Sequence, residues 1–269
     1  SVSLLASLID SIMDSVASLI NFFAVRYAMA PADEEHRFGH GKAEALAGLA
    51  QALLILGSIG LLLSQTVGRL WDPVVVENTP IGISVMIASM VLTGALVLLQ
   101  RQVVKQTQST AIEADSLHYT SDLLMNFGVI IALVLATYGY YGADPYLALG
   151  IGAYVIYSAW GIAKTAFHLL LDHELSDEQR QNITQLALTQ PLVLGIHDLR
   201  TRQSGHMQFI QLHLDLQDDM LLMHAHDVAD ALEQRIMKAF PYADVIIHLD
   251  PVSITTKNKA QKTLNPVQD

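Results

Sequence analysis

Two pairs of side chains stand where an apolar chain has little reason to place them. In "LIDSIMD" (8–14), Asp10 and Asp14 are four residues apart inside a segment that is otherwise apolar from residue 2. In "LHYTSD" (117–122), His118 and Asp122 have the same spacing in a second apolar segment. Residues four apart share one face of a helix. By rise per residue, each pair falls roughly 10–18 Å from its helix end, near the middle of a bilayer. An ionised Asp there costs about 2.5–3.5 kcal/mol on the most lenient insertion scale. Three such carboxylates cost on the order of 10 kcal/mol, comparable to the stability of a whole domain. No Lys or Arg in these segments lies at that depth; Lys164 is nearer a helix end, where its long stem carries the ammonium to the interface. Ser7, Ser11, Asn21 and Asn126 read as ordinary polar contacts between helices. Three carboxylates and one imidazole instead make four N/O ligands, the number that tetrahedral Zn2+ takes. In mid-membrane such a set reads as a stop on an ion path.

The rest of the chain must supply the helices that hold these pairs. It has 269 residues, of which 52% are hydrophobic and only 15% charged, with a mean hydropathy of +0.37, too apolar for an ordinary soluble protein. A net charge of −11 and the lack of a basic patch argue against nucleic acid as a partner. The absence of cysteine removes disulfides, thiolate zinc sites and Cys nucleophiles. It also disfavours Cu(I), although nine Met residues leave thioether ligands. Five segments are long enough to cross a bilayer: 3–28, 43–70, 80–104, 111–138 and 146–171. The breaks at 30–41 and 101–110, with their flanks, carry Arg26, Arg37, Lys42, Arg101 and Lys105, whereas the alternate breaks carry little more than Arg69. The first set is therefore expected on the cytoplasmic side. Five crossings then put residue 1 outside, with no basic leader before it. A further helix before Ser1 would restore an inside start, so the sequence reads as part of a longer protein.

Beyond Asp172 the pattern changes to that of a soluble domain. "LSDEQRQNITQLALTQP" (175–191) predicts an amphipathic helix with Ser176 as N-cap and Glu178 in its first turn. Segments 196–205 and 206–216 predict a hairpin; in the second strand Ile210, Leu212, Leu214 and Leu216 alternate with Gln211, His213 and Asp215. Segment 223–240 predicts a second helix and 243–251 a third strand. The order αββαβ implies a two-layer α+β domain with its helices on one face of a sheet. The expected divisions are a transmembrane domain over 1–173, a cytoplasmic domain over 174–257 and a disordered polar tail over 258–269.

The two ligand pairs, with "FGHGKAE" (38–44), "DLRTRQSG" (198–205) and "DVIIHLDP" (244–251) in order, resemble the cation diffusion facilitators, divalent-metal/proton antiporters. The resemblance covers nearly all of residues 1–257. It implies a membrane α-helical bundle of six transmembrane helices, five of them in this chain, plus a metallochaperone-like cytoplasmic domain. It also implies a homodimer working by alternating access, with Asp10, Asp14, His118 and Asp122 as the transport site. Lys42 and Asp172 match charges that interlock at the dimer interface near the cytoplasmic membrane face. Read without the resemblance, they are helix-end charges.

Other histidines add two candidate sites. Asp33, His36 and His40 put three N/O ligands within eight positions of a cytoplasmic loop, enough for a metal with water as the fourth ligand. Glu34 and Glu35 are possible substitutes in that set. The resemblance supports zinc there. In the soluble domain, His213 is on the polar face of its strand, His248 and Asp250 share a strand face, His197 begins the hairpin and His226 opens the second helix. The resemblance implies a two-zinc cluster, with His197 and His213 on one ion, His226 and His248 on the other, and Asp250 bridging. His206 and His224 match no role and read as solvated.

The expected function is a homodimeric inner-membrane exporter of Zn2+, driven by inward proton flow. It is not an enzyme, and no nucleotide-binding loop is present. Cd2+, Fe2+ and Mn2+ also accept N/O ligands and stand as alternative cargo. The rivals are a metal-gated cation channel and a membrane-anchored metal sensor. A sensor needs the C-terminal histidines but not the intramembrane quartet.

Overall fold

The computed structural model describes residues 2–69, 80–138, 140 and 143–256, with side chains from residue 15 onward except at 65, 68, 69, 80–85 and 136. The expected tail over 258–269 lies outside the described residues. The chain forms two compact units that divide between Leu170 and Leu171.

The first unit is a helical bundle of α1 (Val2–Ala28), α2 (Lys42–Arg69), α3 (Pro80–Thr107), α4 (Thr110–Thr137) and α5 (Ala143–Leu170). Among the described residues, four spans, Lys42–Ser64, Met86–Thr107, Thr110–Leu135 and Ala143–Leu170, are long and apolar enough to cross a membrane. The 27 residues of α1 extend about 40 Å at 1.5 Å per residue. Helix α3 runs a few residues past its expected end, because Gln102, Lys105 and Gln106 are good helix formers once outside the apolar layer. Gln108, at φ 55°, ends it, and Ser109 Oγ accepts the Ile112 N–H at 3.2 Å to start α4.

Small residues let these helices approach. Ala52, Ile55 and Ile59 of α2 pack with Ala114 and Leu117 of α4 and with Val155, Ala159 and Ile162 of α5. A Cβ added at Gly48 would meet the Thr110 carbonyl oxygen at 2.9 Å, so α2 closes on α4 only with glycine there. Asp115 ties three helices together: Gln51 Nε2 of α2 donates to its Oδ1 at 3.1 Å, and Gln100 Nε2 of α3 donates to its Oδ2 at 2.6 Å. The outward faces carry exposed Leu53, Leu54, Leu61, Val91, Leu92 and Leu98, as a lipid-facing surface requires.

The second unit contains α6 (Asp177–Leu188), β1 (Gly195–Ser204), β2 (Met207–Leu216), α7 (Leu222–Ala239) and β3 (Ala243–Pro251). Ser176 caps α6 in a capping box with Gln179. The sheet order is β1-β2-β3, with β2 antiparallel to β1 and parallel to β3. The alternating Ile210, Leu212, Leu214 and Leu216 of β2 are fully or nearly buried against Ile183 of α6 and Val228, Leu232 and Ile236 of α7. That leaves the other sheet face for polar side chains.

Candidate metal centres

On α4, His118 Nε2 lies 3.7 Å from Asp122 Oδ2, the one-turn spacing anticipated for the pair. Two hydrogen bonds hold α1 against this helix: Asn21 Nδ2 donates to the Ala111 carbonyl at 2.9 Å, and Ser18 Oγ bonds Tyr119 Oη at 2.9 Å. As α1 is followed from 21 back to 18, its partners on α4 advance from 111 to 119, so the helices run antiparallel. Positions 10 and 14 continue the α1 stripe of Ser18 and Asn21 at helical spacing, which sets position 14 level with Asp122. The side chains of Asp10 and Asp14 lie outside the described residues.

The loop between α1 and α2 brings Asp33, His36 and His40 together, with one ligand atom from each within 4.8 Å of the others. Asp33 Oδ1 accepts the backbone N–H groups of Glu35 at 3.0 Å and His36 at 2.6 Å. Its carboxylate lies 3.4 Å from His36 Nδ1 and 3.2 Å from His40 Nε2. Gly39, at φ 75°, makes the turn that returns His40 to the site. His40 is buried, its ring 4.4 Å from Tyr27 and its Nδ1 3.4 Å from the Ala30 carbonyl, which leaves Nε2 to face the carboxylate. Glu34 and Glu35 are not in this group of ligand atoms among the described residues.

The His36 N–H holds the Asp33 carboxyl below its ordinary value; desolvation opposes this, and the His40 charge, the Glu35 N–H and the His36 charge assist. A lowered folded-state value means that this carboxylate favours the loop above the ordinary value of 3.8, and that the support is lost as pH falls through the lowered one. A side-chain NMR titration of the metal-free protein should give Asp33 a midpoint below 3.8. A midpoint at or above that value would contradict the loop geometry.

The sheet of the second unit aligns a row that no single strand contains. His197 of β1 pairs with His213 of β2, and His213 pairs with His248 of β3. Their ring centroids are 4.9 and 4.5 Å apart in turn. Asp250 serves all three: its Oδ2 accepts from His213 Nδ1 at 2.7 Å and lies 3.4 Å from His197 Nε2, while its Oδ1 lies 3.4 Å from His248 Nε2. His197, His213 and Asp250 are spaced to hold a metal, and two imidazoles with a carboxylate are a donor set that suits Zn2+. Desolvation raises the Asp250 carboxyl, but the His213 hydrogen bond and the charges of His248, His213 and His197 outweigh it, so its value is lowered.

His226 is not brought to this row. It is exposed on the first turn of α7, because the neighbouring Ala225 begins the buried stripe that continues through Val228, Leu232 and Ile236. Two further carboxylates, not singled out by the sequence, lie against this row. Asp215 is buried with Oδ1 3.1 Å from His197 Nδ1, and it accepts from Thr255 Oγ1 at 2.8 Å. Asp198, at φ 51° in the irregular pairing between His197 and Arg200, has Oδ2 4.0 Å from His213 Nε2. The repeated His-x-Asp of β2 (213, 215) and β3 (248, 250) was the available signal.

The two interlock candidates have local partners. Lys42 Nζ donates to the Leu170 carbonyl at 3.2 Å, a cation on the C-terminus of α5. Asp172, at φ 55°, accepts from Arg202 at 3.3 Å.

Apolar spanning helices with a His–Asp pair inside α4, followed by a small domain whose sheet aligns three histidines around a carboxylate, fit a polytopic metal-ion transporter. Residues 1–171 match the family described as the cation efflux transmembrane domain, and residues 175–252 match the cation efflux protein cytoplasmic domain. The chain belongs to the cation efflux, or cation diffusion facilitator, family. It is a transporter of the bacterial inner membrane rather than an enzyme, and its second unit is cytoplasmic. The cation-efflux pump FieF of Yersinia enterocolitica is 49% identical over 259 residues, 96% of this chain and 86% of that one. FieF of Salmonella paratyphi A is 49% identical over 257 residues, again 96% and 86%. Among solved structures, the zinc form of CzrB is 32% identical and covers 30% of this chain and 92% of its own, at a TM-score of 0.29.

Proposed function

We propose that the chain exports Zn2+ from the cytoplasm in exchange for protons, working as a homodimer. The observation that carries this reading is the His118–Asp122 pair on α4, level with position 14 of the antiparallel α1. Asp10, Asp14, His118 and Asp122 form the proposed transport site. Zn2+ needs deprotonated carboxylates and a neutral imidazole, so its binding releases protons. The empty site then returns carrying protons and not as a bare polyanion, which the bilayer would oppose by several kcal/mol per charge. Three carboxylates and one imidazole also accept Cd2+, Fe2+ and Mn2+. We assign Zn2+ because the cytoplasmic row adds a second, more nitrogen-rich set that suits this ion.

Asp33, His36 and His40 are the proposed loop site, and His197, His213 and Asp250 the proposed principal cytoplasmic site, with His248 beside it. The second unit is the proposed dimerisation module, and Lys42 and Asp172 the proposed interlocking charges.

Proteoliposomes test the coupling. With the protein facing a neutral compartment, acidifying the opposite side from about pH 7 to 6, across the reference His value of about 6.5, should speed zinc export several-fold. Reversing the gradient should slow it. Flux that saturates but ignores the gradient in both directions would defeat antiport, and high non-saturating conductance would favour a channel.

A further inference from the structure

We propose that a groove between α3, α4 and α5, at the cytoplasmic end of the bundle, binds the headgroup of an anionic phospholipid. The groove is a cavity of about 770 Å³ whose lining includes Arg101, Lys105, Glu113, Tyr157, Trp160 and Lys164. Its side of the membrane follows from connectivity. Helix α5 ends at Leu170 and leads into the cytoplasmic domain matched from residue 175. The last turns of α3 and the first turns of α4 line the same cavity as Lys164, near the end of α5.

The cavity is graded along its length. Arg101, Lys105, Glu113 and Lys164 all lie within about 10 Å of a helix end at 1.5 Å per residue, at headgroup depth. Tyr157 lies roughly 20 Å from the end of α5, well into the hydrocarbon layer. Tyr157 is 80% and Trp160 64% exposed in the single chain, so an aromatic wall lines the path an acyl chain would take. Among the described residues, none of the three cations is in an ion pair.

Three cations facing one carboxylate repel a divalent metal, so the groove is a poor entrance for the cargo. The same charges suit a phosphodiester, with the Arg101 fork able to take two oxygens at once. A soluble anion would engage only the mouth of the groove. A lipid also covers the deeper aromatic wall, and basic pockets of this kind between membrane helices hold anionic headgroups.

Trp160 reports on the site directly. Trp71→Phe, with any tryptophan outside these 269 residues likewise replaced, leaves it as the sole tryptophan. In bilayers, quenching of Trp160 by brominated phosphatidylglycerol should show about tenfold stronger association than by brominated phosphatidylcholine. Arg101→Gln/Lys105→Gln/Lys164→Gln in that background should bring the ratio to about one, while Glu113→Gln should raise it, because the substitution removes a negative charge that lines the groove with these cations. Equal quenching by the two lipids in the parent protein would overturn the proposal. So would an undiminished ratio in the triple variant, or a Trp160 shielded from both lipids by a second copy of the chain. Where the triple variant fails to fold, Glu113→Gln decides alone, and an unchanged ratio counts against the site.

Discussion

Asp122→Ala is expected to cut metal flux in proteoliposomes to the protein-free background, a loss of more than about 100-fold, and Asp14→Ala to do the same. Each substitution removes one of four proposed ligands, whereas outer-shell losses alone typically cost about 10–100-fold. The stability readout separates this role from a structural one. Removing a carboxylate from mid-membrane relieves an insertion cost of about 2.5–3.5 kcal/mol, so the variants should melt at or above the parent temperature. If the Asp122 carboxylate, 3.7 Å from His118, merely fastened the bundle, the variant would unfold earlier. Normal flux in either variant would remove the transport-site assignment.

Asp250→Asn is expected to abolish most of the metal-dependent stabilisation of the second unit. All of that unit's core cluster lies between Leu175 and Val245, so residues 171–256 carry their own core and are suited to isolated measurement. A ligand at about 100 times its Kd stabilises a native state by about 2.7 kcal/mol. For a domain of this size that raises Tm by roughly 10–20 °C. The asparagine variant keeps the shape but loses the charge that faces His197, His213 and His248, so the zinc-dependent Tm rise should shrink to a few degrees. In the metal-free parent, Asp250 contributes stability above its ordinary unfolded value, and that contribution is lost as pH falls through the lowered folded one. An equal zinc-dependent rise in parent and variant would place the metal elsewhere.

What the amino-acid order determines here is whatever has a local period. Apolar runs of about 20 residues have few choices but to be spanning helices. Asp10 with Asp14, and His118 with Asp122, share faces because four residues complete roughly one turn. Ile210 to Leu216 alternate, so β2 had to bury one face and offer His213 on the other. Even the loop cluster of Asp33, His36 and His40 was legible, since eight positions leave a short chain little room to separate them.

Tertiary structure decided whatever depends on which strand or helix lies beside which. The row His197–His213–His248 exists because β2 is central and pairs antiparallel on one side and parallel on the other, at one particular register. A one-residue slip would turn His213 to the opposite face. The same register gave Asp250 three imidazole neighbours and seated Asp215 behind His197, while the buried stripe of α7 turned His226 away. Within the bundle, the packing of α2 and α3 against α4 supplied Gln51 and Gln100 as donors to Asp115. The cationic groove likewise draws one residue set from each of three helices. Periodicity places side chains on a face, but contact between faces distant in sequence is settled by the shape and burial of the whole core, which no local pattern encodes.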